Sequence, residues 1–154
     1  MSPTPAALRV LIVEDEALLA MQVECLLLEA GHEPVGHALD TAEALTLARA
    51  VRPDLALVDV HLRDGLTGVD LMRALTGPGH GIAGVFVTAN LRLVPADFAG
   101  ALAAISKPFS ETAFQQALRY VAGRLAAGGT RGSLPAYRPS PPPGLVLAPG
   151  AGPA

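Results

Sequence analysis

At 154 residues, 51% apolar and 16% charged, the chain suits one domain with a sizeable core and leaves little room for a second. A formal net charge of −3 gives no basic footprint for nucleic acid, and a single cysteine, Cys25, excludes an internal disulfide framework. The opening MSPTPAA has neither a positive leader nor an apolar h-region, and no apolar run reaches the roughly 18 residues of a membrane span, so a soluble, cytoplasmic protein is expected.

Along the chain, residues 1–7 read as a short extension. Arg9–Val13 is a β-branched run that predicts a buried strand. Leu19, Val23, Leu26, Leu27 and Ala30 then recur at helical spacing, and Gly31 stands where a helix C′ residue belongs. Cys25 lies within this pattern and is expected to be a buried small hydrophobe. Pro34–Ala38 is a weak strand. Asp40 followed by Glu43 predicts a capped helix running to about Ala50. A third strand over Leu55–Asp59 precedes a short helix over Val69–Leu75, and Val85–Thr88 is a fourth strand. A brief helix around Pro95–Gly100 leads to a small strand at Ala103–Ser106. The final helix starts at Ser110 and carries Phe114, Leu118, Val121, Ala122 and Leu125 on one face.

The last stretch, Gly128 to Ala154, holds six Gly and seven Pro, too little packing material to offset the entropy of ordering. It is read as a disordered tail, with Pro139–Pro143 as a weaker candidate for a polyproline ligand. The folded unit is therefore placed at residues 8–127. Regular βα alternation predicts an α/β fold with a five-stranded parallel sheet, doubly wound, with helices on both faces. In such sheets ligands bind beyond the C-terminal strand ends, where strand order reverses.

Those ends carry the chemistry. The first strand runs into Glu14, Asp15 and Glu16, the third into Asp59, the fourth into Thr88, and the fifth into Ser106-Lys107-Pro108-Phe109. Carboxylates from two strands would converge on one edge and repel unless a cation is present. Hard oxygen ligands without Cys or His partners suit Mg²⁺. A carboxylate can also be a nucleophile, forming an acyl phosphate, and the transferring phosphoryl oxygens then need a metal, a hydroxyl and an ammonium. Asp59, Thr88 and Lys107 supply nucleophile, hydroxyl and ammonium. Each alone is an ordinary turn or strand-end residue; their order at successive strand ends is what carries weight.

With these residues in place, 8–127 resemble the receiver domain of two-component response regulators, whose sheet has the flavodoxin-like order 2-1-3-4-5. The matching segments are Leu11-Ile12-Val13-Glu14-Asp15-Glu16, Leu57-Val58-Asp59-Val60-His61-Leu62, Phe86-Val87-Thr88-Ala89 and Ser106-Lys107-Pro108-Phe109. The resemblance implies that Asp59 is the phosphoacceptor and that Asp15 and Asp59 ligate Mg²⁺ directly. It also implies that Glu14 holds the ion through water and that the His61 backbone carbonyl completes the protein ligands. Thr88 and Lys107 would contact the phosphoryl oxygens, and the Lys107–Pro108 bond is often cis in this family. A histidine kinase or histidine phosphotransfer protein would be the donor and another protein the target, with no nucleic acid or membrane involved.

Departures stand beside the match. Ala104 occupies the position, three before the lysine, where the family usually has an aromatic switch residue. The stretch from Thr88 to Lys107 is short, leaving about two turns for a fourth helix. The loop Leu62–Gly68 lacks the common Pro, and with Phe86-Val87-Thr88-Ala89 it resembles receivers related to the alphaproteobacterial general stress response. His61, two residues after Asp59, stands where this family tunes phosphate lifetime and where a phosphoaspartyl hydrolase would want an acid. His32, His37 and His80 lie near turns, which argues against a phosphotransferase histidine. No Gly-x-Gly-x-x-Gly follows the first strand, so a dinucleotide site is excluded. A non-enzymatic phosphorylation switch without an output domain is expected. A phosphorylation-independent protein-binding scaffold is the alternative.

Overall fold

The apolar runs become the strands of one sheet and the helical stretches cover its two faces, in a computed structural model that describes residues 7–127 and 141–149. In chain order the elements are β1 (Arg9–Val13), α1 (Ala17–Glu29), β2 (Glu33–Ala38), α2 (Thr41–Val51), β3 (Leu55–Val58), α3 (Gly68–Thr76), β4 (Ala83–Thr88), β5 (Ala103–Ser106), α4 (Glu111–Ala126) and β6 (Leu145–Leu147), with 3₁₀ turns at Leu91–Leu93 and Phe98–Gly100. The sheet order is β2-β1-β3-β4-β5-β6, and the first five strands are parallel, in the expected order.

Period-two alternation splits the core between the faces. Val10 and Ile12 of β1 pack with Val23 and Leu27 of α1 and with Phe114 and Leu118 of α4. Their neighbours Leu11 and Val13 face the other way, among Ala44 of α2, Leu71 and Leu75 of α3, and Phe86. The helix ends follow their local chemistry. Gly31 takes a positive φ of 84° just past α1, as an αL C′ residue does. The Asp40 carboxylate accepts the Glu43 amide at 2.9 Å, and the Ser110 hydroxyl accepts the Ala113 amide at 3.0 Å.

Three expectations need correction. The sheet has six strands, because Leu145–Leu147, read as tail, pairs antiparallel with β5. The Pro and Gly content hid a four-residue apolar run, Leu145–Ala148, that buries Leu145 and Ala148 on an otherwise open sheet edge. The rest of the proposed tail, 128–140 and 150–154, lies outside the described residues, as does most of the N-terminal extension. Cys25 is exposed, since the buried stripe of α1 runs through Ala20, Val23, Leu26 and Leu27 and leaves residue 25 on the far side. The region expected to hold a brief helix carries only two 3₁₀ turns, the second with Phe98, Ala99 and Gly100 all at positive φ.

Candidate functional site

Parallel register brings the chemically active residues to one edge. Where β1 and β3 end, the Asp59 amide donates to the Val13 carbonyl at 3.0 Å, so Glu14 and Asp59 leave adjacent strands side by side. Where β4 and β5 end, the Lys107 amide donates to the Thr88 carbonyl at 2.9 Å. The lysine side chain then crosses the gap. Its Nζ donates to Glu14 Oε1 and to Asp59 Oδ2, both at 2.7 Å. Two backbone amides complete the carboxylates: Glu16 N–H to Glu14 Oε2 at 3.2 Å and His61 N–H to Asp59 Oδ1 at 3.3 Å. The Lys107–Pro108 peptide is cis.

Electrostatics follow from burial. Glu14 is only 4% exposed and Asp59 7%. Loss of solvent pushes the Glu14 carboxyl up to about 7, and the Asp59 charge adds to this. The hydrogen bonds from Lys107 and the Glu16 amide pull the other way without cancelling it. For Lys107, burial alone would lower the ammonium pKa, but the two carboxylates outweigh it and the net direction is upward. A buried carboxylate pair with one ammonium is a site short of positive charge.

Glu14, Asp15 and Asp59 can each place an oxygen within 4.8 Å of the others'. Three hard oxygen donors, two of them buried, fit Mg²⁺ by chemistry and spacing. Asp15 is exposed and completes the group from the solvent side.

Thr88 is buried at the end of β4, and its Oγ1 accepts the Asn90 amide at 3.1 Å. It stands beside the cluster on the backbone shared with Lys107. His61 is exposed and meets Asp59 through its amide, while His37 Nε2 lies 2.7 Å from the Glu14 carbonyl. Of the expected residues, then, Glu14, Asp15, Asp59 and Lys107 form one cluster. Thr88 flanks it with its hydroxyl on a neighbouring amide.

Two supports went unread in the sequence. Gly68 begins α3 directly against the chain leaving β3: a Cβ there would collide with the Asp59 carbonyl oxygen and approach Val60 Cα at 2.6 Å. The Gly68 amide donates to the Val60 carbonyl at 3.0 Å. Arg63 clamps the following loop by pairing with both Asp40 and Glu43 at the start of α2. A Gly at a loop-to-helix junction was the available signal for the first; the Arg63 clamp left no local trace, because its partners lie 20 or more positions away.

Residues 10–119 match the family model of the response regulator receiver domain. The chain belongs to the response regulator receiver domain family. Among curated relatives, it is 39% identical over 104 residues to the transcriptional regulatory protein PdtaR of Mycobacterium tuberculosis, covering 66% of this chain and 50% of that one. It is 28% identical over 116 residues to the chemotaxis protein CheY of Thermotoga maritima, covering 73% and 96%. Among solved structures, the PhyR receiver domain of Erythrobacter litoralis superposes with a TM-score of 0.64 at 30% identity, covering 79% of this chain and 90% of that one. The match thus spans half the length of PdtaR. No helix among the described residues is long and apolar enough to cross a membrane.

Proposed function

We propose that this chain is a phosphorylation switch in which Asp59 accepts a phosphoryl group from a phosphohistidine and the phosphorylated form is recognised by another protein. The donor on this reading is a histidine kinase or histidine phosphotransfer protein in the cytoplasm. An Asp59 oxygen forms the new bond to phosphorus as the phosphorus–nitrogen bond breaks, and the imidazole leaves with the electron pair. Lys107 Nζ, now on Asp59 Oδ2 and Glu14 Oε1, turns one hydrogen bond to a phosphoryl oxygen. The Thr88 hydroxyl donates a hydrogen bond to a second oxygen while its own oxygen continues to accept the Asn90 amide. Glu14, Asp15 and Asp59, with the His61 carbonyl, would hold Mg²⁺, which supplies charge neutralisation of the transferring group.

The observation that carries this reading is the bridge from Lys107 to both Glu14 and Asp59 at 2.7 Å, with Asp15 in ligand range. Incubation with acetyl phosphate and Mg²⁺, followed by intact-mass measurement, tests it. One added phosphoryl group is expected, abolished by Asp59→Asn and by chelation of the metal. An unmodified wild-type chain would favour the phosphorylation-independent scaffold.

A further inference from the structure

The sheet ends on a strand unlike the other five. β6 is three residues long, runs antiparallel, and comes from a segment that follows α4 rather than a βα unit. Ala103, Ala104 and Ile105 pair with Leu147, Val146 and Leu145 in turn. Beyond the pairs, the Ser106 amide donates to the Gly144 carbonyl at 3.1 Å and the Ala148 amide to the Leu102 carbonyl at 2.9 Å. Leu145 is 6% exposed within the cluster that includes Ile105 and Phe114, and Leu147 packs against the same cluster. Val146 alternates to the opposite face and is 42% exposed. The edge of β5 therefore offers a row of backbone donors and acceptors together with an apolar slot for side chains two residues apart. Those are the two things an extended peptide needs in order to add to a sheet.

The edge also lies next to the acceptor site. Ser106, which holds Gly144, is followed by Lys107, whose Nζ touches Asp59 and Glu14. The lysine that reaches the carboxylates is thus one residue from the amide that carries the last bond to the β6 segment.

We propose that the β5 edge is a docking site for an extended segment of a partner protein with apolar side chains at alternate positions, and that Gly144–Ala148 is its internal occupant, in competition with that partner. The tethered segment has a high effective concentration, so the edge is open to a partner for only a fraction of the time. The link to the acceptor rests on the reading of Asp59 given above; the docking edge does not.

The probe is a labelled peptide with the sequence of residues 142–149, titrated onto the full chain and onto full-chain Leu145→Asp/Leu147→Asp. The variant, its own occupant displaced, should bind the peptide at least about tenfold more tightly than the wild type. Hydrogen exchange at the Ser106 amide should be slow in the wild type, fast in the variant and slow again once peptide is added. The Asp59 amide, bonded to Val13 inside the sheet, reports that the variant is folded, and Leu145→Ser serves if the double change unfolds it. Equal affinities for the two chains, or no binding by a folded variant, would overturn the docking site. Repeating the titration on wild-type chain shown by intact mass to be phosphorylated should tighten binding; an unchanged Kd there removes the coupling and leaves the edge.

Discussion

Lys107 shows how one residue couples three strand ends. It is 13% exposed at its side chain and satisfies two buried carboxylates at once, so its removal leaves them facing each other without a cation. Lys107→Met in metal-free protein should lose about 3 kcal/mol, by urea denaturation, and regain part of it when Mg²⁺ is added. Gly68 is the second residue on which the site depends. Gly68→Ala has to push α3 off the Asp59–Val60 backbone, and should cost at least about 1–3 kcal/mol while slowing phosphorylation. Ala104 bears on output. The position lacks the ring a switch residue would use, and it is also 0% exposed, in the buried cluster that holds Phe86, Ala99 and Ala101. A ring there would have to enter this buried cluster, so Ala104→Tyr should destabilise rather than rescue a switch. His32 gives the pH dependence. Its Nδ1 accepts the Leu8 amide at 3.0 Å, and burial lowers its pKa from the ordinary 6.5. The unfolded chain then binds the proton more readily than the folded one. This contribution to stability is present above pH 6.5 and is lost as pH falls from there through the lowered folded value. Denaturation at about pH 7.5 and 5.5 should show a steeper loss in the wild type than in His32→Gln, which keeps an acceptor without titrating.

Elements made of local, periodic sequence were legible; elements made by distant partners were not. The five parallel strands and four helices fall within a few residues of their expected places, because alternation, capping residues and Gly31 are local signals. Asp40 and Ser110 cap the helices that the sequence assigned to them. β6 was missed for the opposite reason. Its Leu-Val-Leu-Ala run is a strand only because the β5 edge is there to receive it, while the surrounding Pro and Gly argued for entropy. Leu145→Ala should therefore cost about 2 kcal/mol of stability while Asp59 still accepts phosphate. The segment between β4 and β5 behaves likewise. Its short length was visible, but its second 3₁₀ turn is held by distant contacts, with Arg73 on Asp97 at 2.7 Å and Thr76 Oγ1 donating to the Ala99 carbonyl at 3.0 Å. NMR shift changes on phosphorylation should concentrate at residues 86–110 and extend into 144–148. Changes confined to α1 and α2 would contradict the route through Thr88 and Lys107.

At the scale of the molecule, the two cores on either side of the sheet hold the strand ends at fixed register, which lets chemically ordinary residues act together. Order along the chain was enough to find Glu14, Asp15, Asp59 and Lys107, since parallel βα units return every strand end to the same edge. It was not enough to show that Lys107 spans Glu14 and Asp59, or that Glu14 is buried enough to be pushed to about 7. A charge-deficient carboxylate cluster should take up a divalent ion and transmit the gain to the whole fold. Millimolar Mg²⁺ is expected to raise the Tm of the wild type, less so for Asp15→Ala than for Glu14→Ala. An unchanged Tm together with a flat binding titration would remove the metal from the account. The central claim is that Asp59 is the acceptor. Tandem mass spectrometry of the chain after acetyl phosphate and Mg²⁺, with the acyl phosphate trapped by borohydride reduction, locates the modified residue directly. Reduction at Asp59 alone is predicted; reduction at Glu14 or Asp15, or an unmodified Asp59 peptide beside a phosphorylated chain, would contradict it.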